Sequence, residues 1–206
     1  MTRARHRVSG GITLAVLVFI YLPIGVLFLN AFNAEKQLVK WGGFTTHWFT
    51  DAINNERIRT DFQHSLEIAV CATLLSLIVA VTAALWAREA KPRSRALFDG
   101  TTLMRLVLPE VVIAVGLYLL FLKVGLPLGT GAVILGHVVF LSAYATVVLQ
   151  ARVATLGTNL EAAASDLGAT PWRTFRRVTL PQLMPAVIVA GLLCFTFSLD
   201  DVITSQ

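Results

Sequence analysis

Five long apolar stretches are the feature that most constrains how this chain can fold. They cover roughly residues 11–32, 65–87, 103–122, 132–151 and 183–203. A helix needs about 20 mainly apolar residues to cross the hydrocarbon core of a bilayer, and each stretch meets that length. We therefore predict an all-α, multi-pass membrane protein in which residues 1–206 form a single transmembrane domain.

The composition supports lipid, rather than water alone, as the solvent of this chain. Apolar residues make up 56% of the sequence and charged residues only 14%, and the mean hydropathy is +0.72. A typical soluble domain carries about 25% charged residues, so a soluble enzyme and a disordered chain are both excluded. The net charge of +5 comes mainly from short basic clusters beside the apolar stretches. This placement is typical of a membrane protein, and we expect no nucleic-acid partner.

The basic residues also predict the orientation of the chain. If the N-terminus is cytoplasmic, the inner segments carry more Lys and Arg than the outer ones, as the positive-inside rule requires. Arg3, Arg5 and Arg7 precede the first stretch, and no small-residue cleavage site follows it, so we interpret it as a retained anchor. Five spans would leave the C-terminus outside, directly after residues 200–206. We expect that a sixth helix is missing and that the domain is incomplete at its C-terminus.

The reactive residue types do not form a catalytic or metal-binding pattern. Cys71 and Cys194 lie inside apolar stretches and are interpreted as small packing residues. The four histidines lack metal-ligand spacing, and there is no G-x-x-x-x-G-K phosphate loop. We expect a chain that is not an enzyme and that binds no metal or cofactor itself.

Residues 152–182 form the longest segment expected on the cytoplasmic side, and their pattern predicts a helix-turn-helix. The first helix should end at Gly168, because glycine most easily adopts the left-handed conformation that stops a helix. The second should begin at Pro171 with Thr170 as its N-cap, and Leu180-Pro181 should then break it. Its apolar face comprises Trp172, Phe175 and Val178. Two interpretations remain open: a surface that docks into a groove of another protein, and an amphipathic connector on the lipid surface.

The sequence of this segment, E-A-A-A-S-D-L-G-A-T-P-W-R-T-F-R-R-V-T-L-P, resembles the EAA loop of binding-protein-dependent ABC importer permeases. The residues assigned to the loop on this basis are Glu161, Ala162, Ala163, Gly168, Pro171, Leu180 and Pro181. The resemblance implies that the segment is the coupling helix, which sits in a groove of a cytoplasmic ATPase subunit. It also implies that ATP is used by that partner subunit.

Further motifs resemble the spermidine/putrescine permease subgroup of this family. They are Tyr21-Leu-Pro23, Asn30-Ala-Phe-Asn33, Trp41 with Trp48, Leu108-Pro109-Glu110-Val-Val, and Phe195-Thr-Phe-Ser-Leu-Asp-Asp201. The resemblance implies import of polyamines by alternating access across the bacterial inner membrane. The implied partners are a second permease subunit, a cytoplasmic ATPase dimer and an extracytoplasmic substrate-binding protein. The subgroup departs from this chain by continuing into an outer loop and a sixth helix.

Other substrates and one other class remain open. A related importer could carry ferric iron, sulfate, molybdate or an organophosphonate. Neighbouring carboxylates at Asp200 and Asp201 disfavour the anions, because a carboxylate repels them, but are compatible with iron. From a different class, the chain could be a non-functional truncated permease or a membrane scaffold that transports nothing.

Three acids are the candidate contacts for a substrate: Glu110, Asp200 and Asp201. Ionisable residues within a span are costly and usually face a cavity, a partner or the interface. We expect Asp200 and Asp201 near the outer face, where they either attract a polycation or are simply solvated. We expect Glu110 in the inner leaflet, where pairing with Arg105 or a neighbouring helix is the alternative to a substrate contact.

Three further features have modest interpretations. His137 lies alone in the fourth stretch and is expected to be a hydrogen-bonded packing residue. Gly125 and Gly129 flank Pro127, so they predict a turn despite their G-x-x-x-G spacing. An aromatic cluster after the first stretch predicts an interfacial belt or a seat for the binding protein. Its members are Trp41, Phe44, Trp48 and Phe49.

Overall fold

The computed structural model describes residues 2–36 and 40–201, and for residues 2–9 it describes the backbone only. Within these ranges the chain is helical almost throughout, and its β-type pairing is limited to an isolated bridge between Asn33 and Phe44. This confirms the all-α prediction. Residues 202–206, which include the end of the fifth predicted stretch, lie outside the described ranges.

The described ranges contain nine α-helices and one π-helical turn. The α-helices are α1 Thr2–Asn30, α2 His47–Asn54, α3 Glu56–Glu89, α4 Pro92–Val107, α5 Glu110–Val124, α6 Thr130–Val153, α7 Asn159–Asp166, α8 Pro171–Thr174 and α9 Leu180–Asp200. The π-helical turn, Phe175–Thr179, connects α8 to α9. The chain divides into two compact units, Met1–Phe62 and Gln63–Gln206.

Several of these helices are long and apolar enough to cross a membrane. They are Gly10–Asn30, Glu56–Glu89, Thr130–Val153 and Pro171–Asp200. A fifth span arises if α4 and α5 count as one, although the two helices meet at 108°. Four or five spans agree with a multi-pass membrane protein, whereas the cytoplasmic position of the N-terminus stays a prediction.

The third predicted stretch, residues 103–122, is not one continuous helix. It is interrupted between the end of α4 and the start of α5 by Leu108 and Pro109. Leu108 is extended, with a ψ of 136°, because a proline ring disfavours helical geometry in the residue before it. The bend places Glu110 at the first position of a helix instead of in its interior.

In the first unit, the segment between α1 and α2 folds around the side chain of Asn33, which is only 1% exposed. Its amide nitrogen donates to the Lys40 carbonyl at 2.7 Å, and its amide oxygen accepts from the Gly42 N–H at 2.7 Å. The indole N–H of Trp48 donates to the Asn33 carbonyl at 2.7 Å. Trp48 thus has a structural bond in this segment, whereas a membrane-belt or binding-protein role for the aromatic cluster stays a prediction.

The core of the second unit is built mainly from small side chains. Helices α6 and α9 pack against each other. The buried residues of this core are Ala72, Ala80, Ala84, Leu141, Ala145, Leu149, Val153, Leu183, Ala190 and Cys194. Small residues let helix backbones approach closely, as is common inside membranes. At Gly191 of α9, an added Cβ atom would lie 3.3 Å from the Leu77 Cδ1 of α3, so the contact tolerates little extra volume.

Candidate functional sites: the helix junction and the acid-lined cavity

The predicted stop at Gly168 is present and has a defined hydrogen-bond pattern. Gly168 follows the end of α7 with a φ of +78°, in the left-handed region that favours glycine. Its N–H donates to the Ser165 carbonyl at 2.9 Å, and the Ala169 N–H donates to the Ala164 carbonyl at 3.0 Å. These are the two bonds of a Schellman motif. A branched L-residue at this position would therefore be strained.

The second helix of the segment also begins as predicted, but it does not end where expected. The Thr170 side chain accepts a hydrogen bond from the Arg173 N–H at 3.4 Å, and Pro171 lies in the first turn. The break expected at Leu180-Pro181 is wrong, because the helical path continues from Pro171 to Asp200 through the π-helical turn.

The π-helical turn explains how Pro181 fits inside a continuous helical path. The Leu180 N–H donates to the Phe175 carbonyl, five residues back. Pro181 has no N–H to donate. The Gln182 side-chain amide donates instead to the Val178 carbonyl at 2.9 Å. A wide turn with this side-chain bond satisfies backbone carbonyls next to the proline.

Glu161 of α7 joins three structural elements through its carboxylate. Its Oε2 atom lies 2.9 Å from the guanidinium of Arg88, at the end of α3. Its Oε1 atom accepts a hydrogen bond from the Thr179 hydroxyl, at the end of the π-helical turn, at 2.6 Å. The two charged side chains are only 21% and 20% exposed. We call Arg88, Glu161 and Thr179 the helix junction.

The helix junction also controls the protonation of Glu161. Partial burial alone would raise the pKa of its carboxyl group, but the hydrogen bonds from Thr179 and Arg88 and the charge of Arg88 together outweigh burial. The pKa of Glu161 consequently lies below its ordinary value of 4.5. Glu161 is ionised at neutral pH, and the charge of Arg88 neutralises it.

Several large apolar side chains of the same segment are exposed. Leu160 is 58% exposed, Leu167 is 89% exposed and Trp172 is 68% exposed. Ala162 and Ala163, beside Glu161, are exposed as well. Exposed apolar side chains clustered in one segment are typical of an interaction surface. We call Leu160, Leu167 and Trp172 the exposed apolar patch.

The second site is a cavity of about 240 Å³ in the second unit. Its lining comprises Glu110, Phe140, Tyr144, Phe197, Asp200 and Asp201. The ring centroid of Tyr144 lies 5.0 Å from that of Phe140 and 5.2 Å from that of Phe197, both in edge-to-face contact. In the described part of the chain, this lining combines carboxyl groups with aromatic rings and includes no Lys or Arg. We call it the acid-lined cavity.

All three predicted acids meet in the acid-lined cavity. The Glu110 and Asp201 carboxyl groups interact with each other, so the expectation that Glu110 lies in the inner leaflet while Asp201 lies near the outer face is wrong. That expectation placed Glu110 inside the third predicted helix, whereas α4 ends at Val107 and a new helix begins at Glu110. Two carboxylates in contact repel each other unless a proton or a cation lies between them.

The alternative pairing of Glu110 with Arg105 is not present among the described ion pairs. Arg105 donates instead to the Val139 carbonyl at 3.1 Å and to the Ser142 hydroxyl at 3.3 Å. Both acceptors belong to α6, so Arg105 ties α4 to α6 and leaves Glu110 to the cavity.

His137 is hydrogen-bonded, as predicted, but it also lies next to the acid-lined cavity. Its side chain is 1% exposed, and its Nδ1 atom is 2.7 Å from the Ser198 hydroxyl. Its Nε2 atom is 3.5 Å from the Oδ2 atom of Asp201. The position of His137 in the middle of an apolar stretch gave no signal for Asp201, which follows the end of α9.

Four or five apolar helices long enough to span a membrane, a capped helix-turn-helix and carboxyl groups that share a cavity are features expected of a permease. Residues 72–205 match the family of binding-protein-dependent transport system inner membrane components. The chain belongs to this family. It is therefore an inner-membrane transport component, as its apolar helices and its EAA loop predict.

The chain is also similar to individual curated permeases. It is 34% identical over 198 residues to the spermidine/putrescine transport system permease of Escherichia coli, covering 96% of this chain and 75% of the relative. It is 35% identical over 202 residues to the putrescine transport system permease of the same species, covering 95% and 72%. A putative 2-aminoethylphosphonate transport system permease of Salmonella paratyphi A is 29% identical over 201 residues, with coverage of 96% and 76%.

The fold recurs in a solved transporter. A chain of a bacterial ABC transporter involved in the import of the acidic polysaccharide alginate superposes with a TM-score of 0.73. The match covers 98% of this chain and 80% of that chain, at 15% sequence identity. The likeness supports the shared permease fold, and the substrate has to be argued from the site.

Proposed function

We propose that this chain is one permease subunit of an ABC importer that carries small polyamine cations such as putrescine and spermidine. The observation that carries the proposal is the acid-lined cavity, where Glu110, Asp200 and Asp201 meet three aromatic rings. The two similar Escherichia coli permeases, named for spermidine/putrescine and putrescine transport, support the same substrate class.

The chemistry of the cavity suits an organic ammonium ion. Carboxylates replace part of the hydration shell of such a cation and raise its local concentration. Aromatic faces attract ammonium groups by cation–π interaction and also contact the methylene chain between them. Glu110 and Asp201 form a pair of carboxyl groups that repel each other when both are ionised. A bound cation would relieve that repulsion, so the site should prefer positively charged ligands.

The size of the cavity fits a partial site in one subunit. Its volume of about 240 Å³ lies slightly below the roughly 300–1,000 Å³ of typical small-molecule sites. A second permease subunit would supply the opposite wall of the translocation pathway. An extracytoplasmic binding protein would deliver the substrate to this paired pathway.

We place the contact with the cytoplasmic ATPase dimer at the segment from α7 to α8. The exposed apolar patch supports this placement, because Leu167 and Trp172 would be covered in a groove of a partner. The helix junction would carry the movement of α7 to α3 and α9 through Glu161. ATP hydrolysis on the partner would then drive alternating access as a rigid-body movement of helices.

The substrate is tested by uptake of labelled putrescine and spermidine in cells with the gene, without it, and with it restored. We expect uptake to disappear on deletion, to return with the wild-type gene, and not to return with Glu110→Gln at equal membrane abundance. Labelled 2-aminoethylphosphonate serves as the competing substrate, because its phosphonate is repelled by the three carboxylates. Gene-dependent uptake of the phosphonate without uptake of either polyamine would overturn the proposal.

A further inference from the structure

We propose that His137 is a positioning residue that holds the carboxylate of Asp201 in the orientation required for cation binding. The inference rests on the proposed function of the acid-lined cavity, and it adds a residue that does not line the cavity itself. His137 would act entirely through Asp201, from the side of the carboxylate that faces away from the bound cation.

The geometry around the imidazole supports this role. His137 is 1% exposed, and its Nδ1 atom is 2.7 Å from the Ser198 Oγ atom. A neutral imidazole that accepts the Ser198 hydroxyl hydrogen at Nδ1 carries its own proton on Nε2. That Nε2 atom lies 3.5 Å from Asp201 Oδ2. Within the described residues Nε2 is buried without a hydrogen-bond partner, so the Asp201 carboxylate at 3.5 Å contacts it electrostatically.

Asp201 needs such a constraint because of its position in the chain. It comes directly after the last residue of α9, where the backbone has left the helix with a ψ of 103°. Its side chain also meets the carboxyl group of Glu110, which repels it when both are ionised. Ser198 lies within the last turn of α9, so the imidazole joins that turn to the residue beyond it.

The charged groups around His137 define how protonation would change the cavity. Asp201 lies within ion-pair distance of the imidazole, at 3.5 Å, and Glu110 and Asp200 line the same cavity as Asp201. Arg105 of α4 binds the α6 backbone at Val139, two residues after His137. A protonated imidazole would pair with Asp201 and reduce the negative charge offered to a cation. Uptake by the wild type should accordingly show an extra decrease at acid pH that depends on His137.

The test uses two variants that each preserve one half of the imidazole. In His137→Asn the side-chain amide occupies the Nδ1 position and keeps the Ser198 contact. In His137→Gln the amide nitrogen reaches the Nε2 position and keeps the Asp201 contact. Both variants are uncharged at every pH. The complete complex, with its binding protein in saturating amount, is reconstituted in vesicles, and the maximal rate of putrescine uptake is measured from about pH 5.5 to about pH 8.

We expect His137→Asn to lower the maximal rate by about tenfold at neutral pH, as the loss of one polar contact to a buried carboxylate would. His137→Gln should stay close to wild type at neutral pH, and both variants should show a smaller acid-side decrease than the wild type. Equal rates in both variants, whether equally normal or equally reduced, would overturn the positioning role, because packing does not distinguish the two halves of the ring.

A second measurement separates this inference from the substrate assignment. Infrared difference spectra of the purified complex report the carboxyl band of Asp201, which Asp201→Asn identifies by its loss. We expect that band to shift in His137→Asn and to remain in His137→Gln. A complex that transports neither polyamine would overturn the proposed function, whereas an unshifted band in His137→Asn would overturn the positioning role alone.

Discussion

Glu161 and Asp201 are carboxylates withdrawn from solvent in the same compact unit, yet their surroundings are opposite. Glu161 lies 2.9 Å from the guanidinium of Arg88 and accepts the Thr179 hydroxyl at 2.6 Å. Asp201 meets a second carboxyl group, Glu110, and its Oδ2 atom lies 3.5 Å from an imidazole. The first charge is neutralised by the chain, whereas the second is placed where an additional cation would neutralise it.

These surroundings distinguish an acid that joins helices, Glu161, from an acid that binds the substrate in the proposed function, Asp201. A charge removed from water is costly unless a partner compensates it. In the helix junction, Arg88 supplies that compensation and the result is a fixed connection between α3, α7 and the π-helical turn. Among the described residues, the lining of the acid-lined cavity includes no Lys or Arg, so its negative potential remains available to a substrate.

The largest expected effect comes from removing the charges of the cavity. The double variant Glu110→Gln and Asp201→Asn should reduce polyamine uptake by about a hundredfold, because two charge-assisted contacts of about 1.5 kcal/mol each are lost. Uptake is measured at equal membrane abundance, with co-purification of the partner subunits as the test of assembly. Asp61→Asn, at a side chain 71% exposed, is the control and should leave uptake unchanged. Wild-type uptake in the double variant would show that the carboxylate of Asp201 is not needed for transport, which would contradict the proposed contrast with Glu161.

The next effect concerns the segment that carries Glu161. Gly168→Val should lower uptake by about tenfold, because a β-branched residue is strained at a φ of +78° by more than about 1 kcal/mol. The matched variant Gly168→Asn should retain most activity, since asparagine tolerates the left-handed region. Open space surrounds the position, with no atom within 4 Å of an added Cβ, so the effect isolates backbone geometry. Equal uptake in the two variants would show that the stop conformation of α7 is not required.

A smaller effect is expected from opening the helix junction. Arg88→Ala leaves the Glu161 carboxylate without its cation and should lower the free energy of unfolding by about 1–3 kcal/mol. The double variant with Glu161→Ala should recover part of that loss, because no uncompensated charge remains. Arg93→Ala, at an exposed arginine near the start of α4, is the control. Thermal denaturation of the purified complex gives the comparison, and additive losses in the double variant would contradict a direct pair.

The smallest expected effect is the loss of protein stability at acid pH that results from protonation of Glu161 in the helix junction. The pKa of Glu161 is depressed in the folded protein, so its stabilising contribution is complete above its ordinary value of 4.5 and is lost as the pH falls through the depressed value. The wild type should therefore lose more stability than Glu161→Gln between neutral pH and about pH 3. The midpoint of thermal denaturation is followed across this range. Parallel pH profiles for the two proteins would mean that Glu161 is not held by Arg88.

The loop around Glu161 could be predicted well because its signals are local. The stop at Gly168 and the cap at Thr170 depend on residues within a few positions, and both are present. Arg88 could not be predicted as a partner, since the packing of α3 against the loop brings together residues 73 positions apart. The expected break at Pro181 was wrong for a related reason. A π-helical turn and a glutamine side chain satisfy the backbone there, which sequence spacing does not reveal.

The acids of the cavity could be selected from the sequence, but their meeting could not. Intramembrane carboxyl groups are rare enough to identify Glu110 and Asp201 individually. Their depths were estimated from their positions along the third and fifth predicted helices, and the 108° break between α4 and α5 invalidates that estimate for Glu110. The sequence around His137 gave even less information, because the proposed role of this residue depends on its contacts with Ser198 of α9 and with Asp201, the residue after α9.

The buried face of α3 has a mechanical consequence. Its buried residues are all small: Ala69, Ala72, Thr73, Ser76, Ala80, Ala84 and Ala87. An alanine side chain has no rotamers to exchange, so a face of this kind can slide along a neighbouring helix without changing rotamers. A transporter must change shape in every cycle, and small side chains keep the barrier to such sliding low.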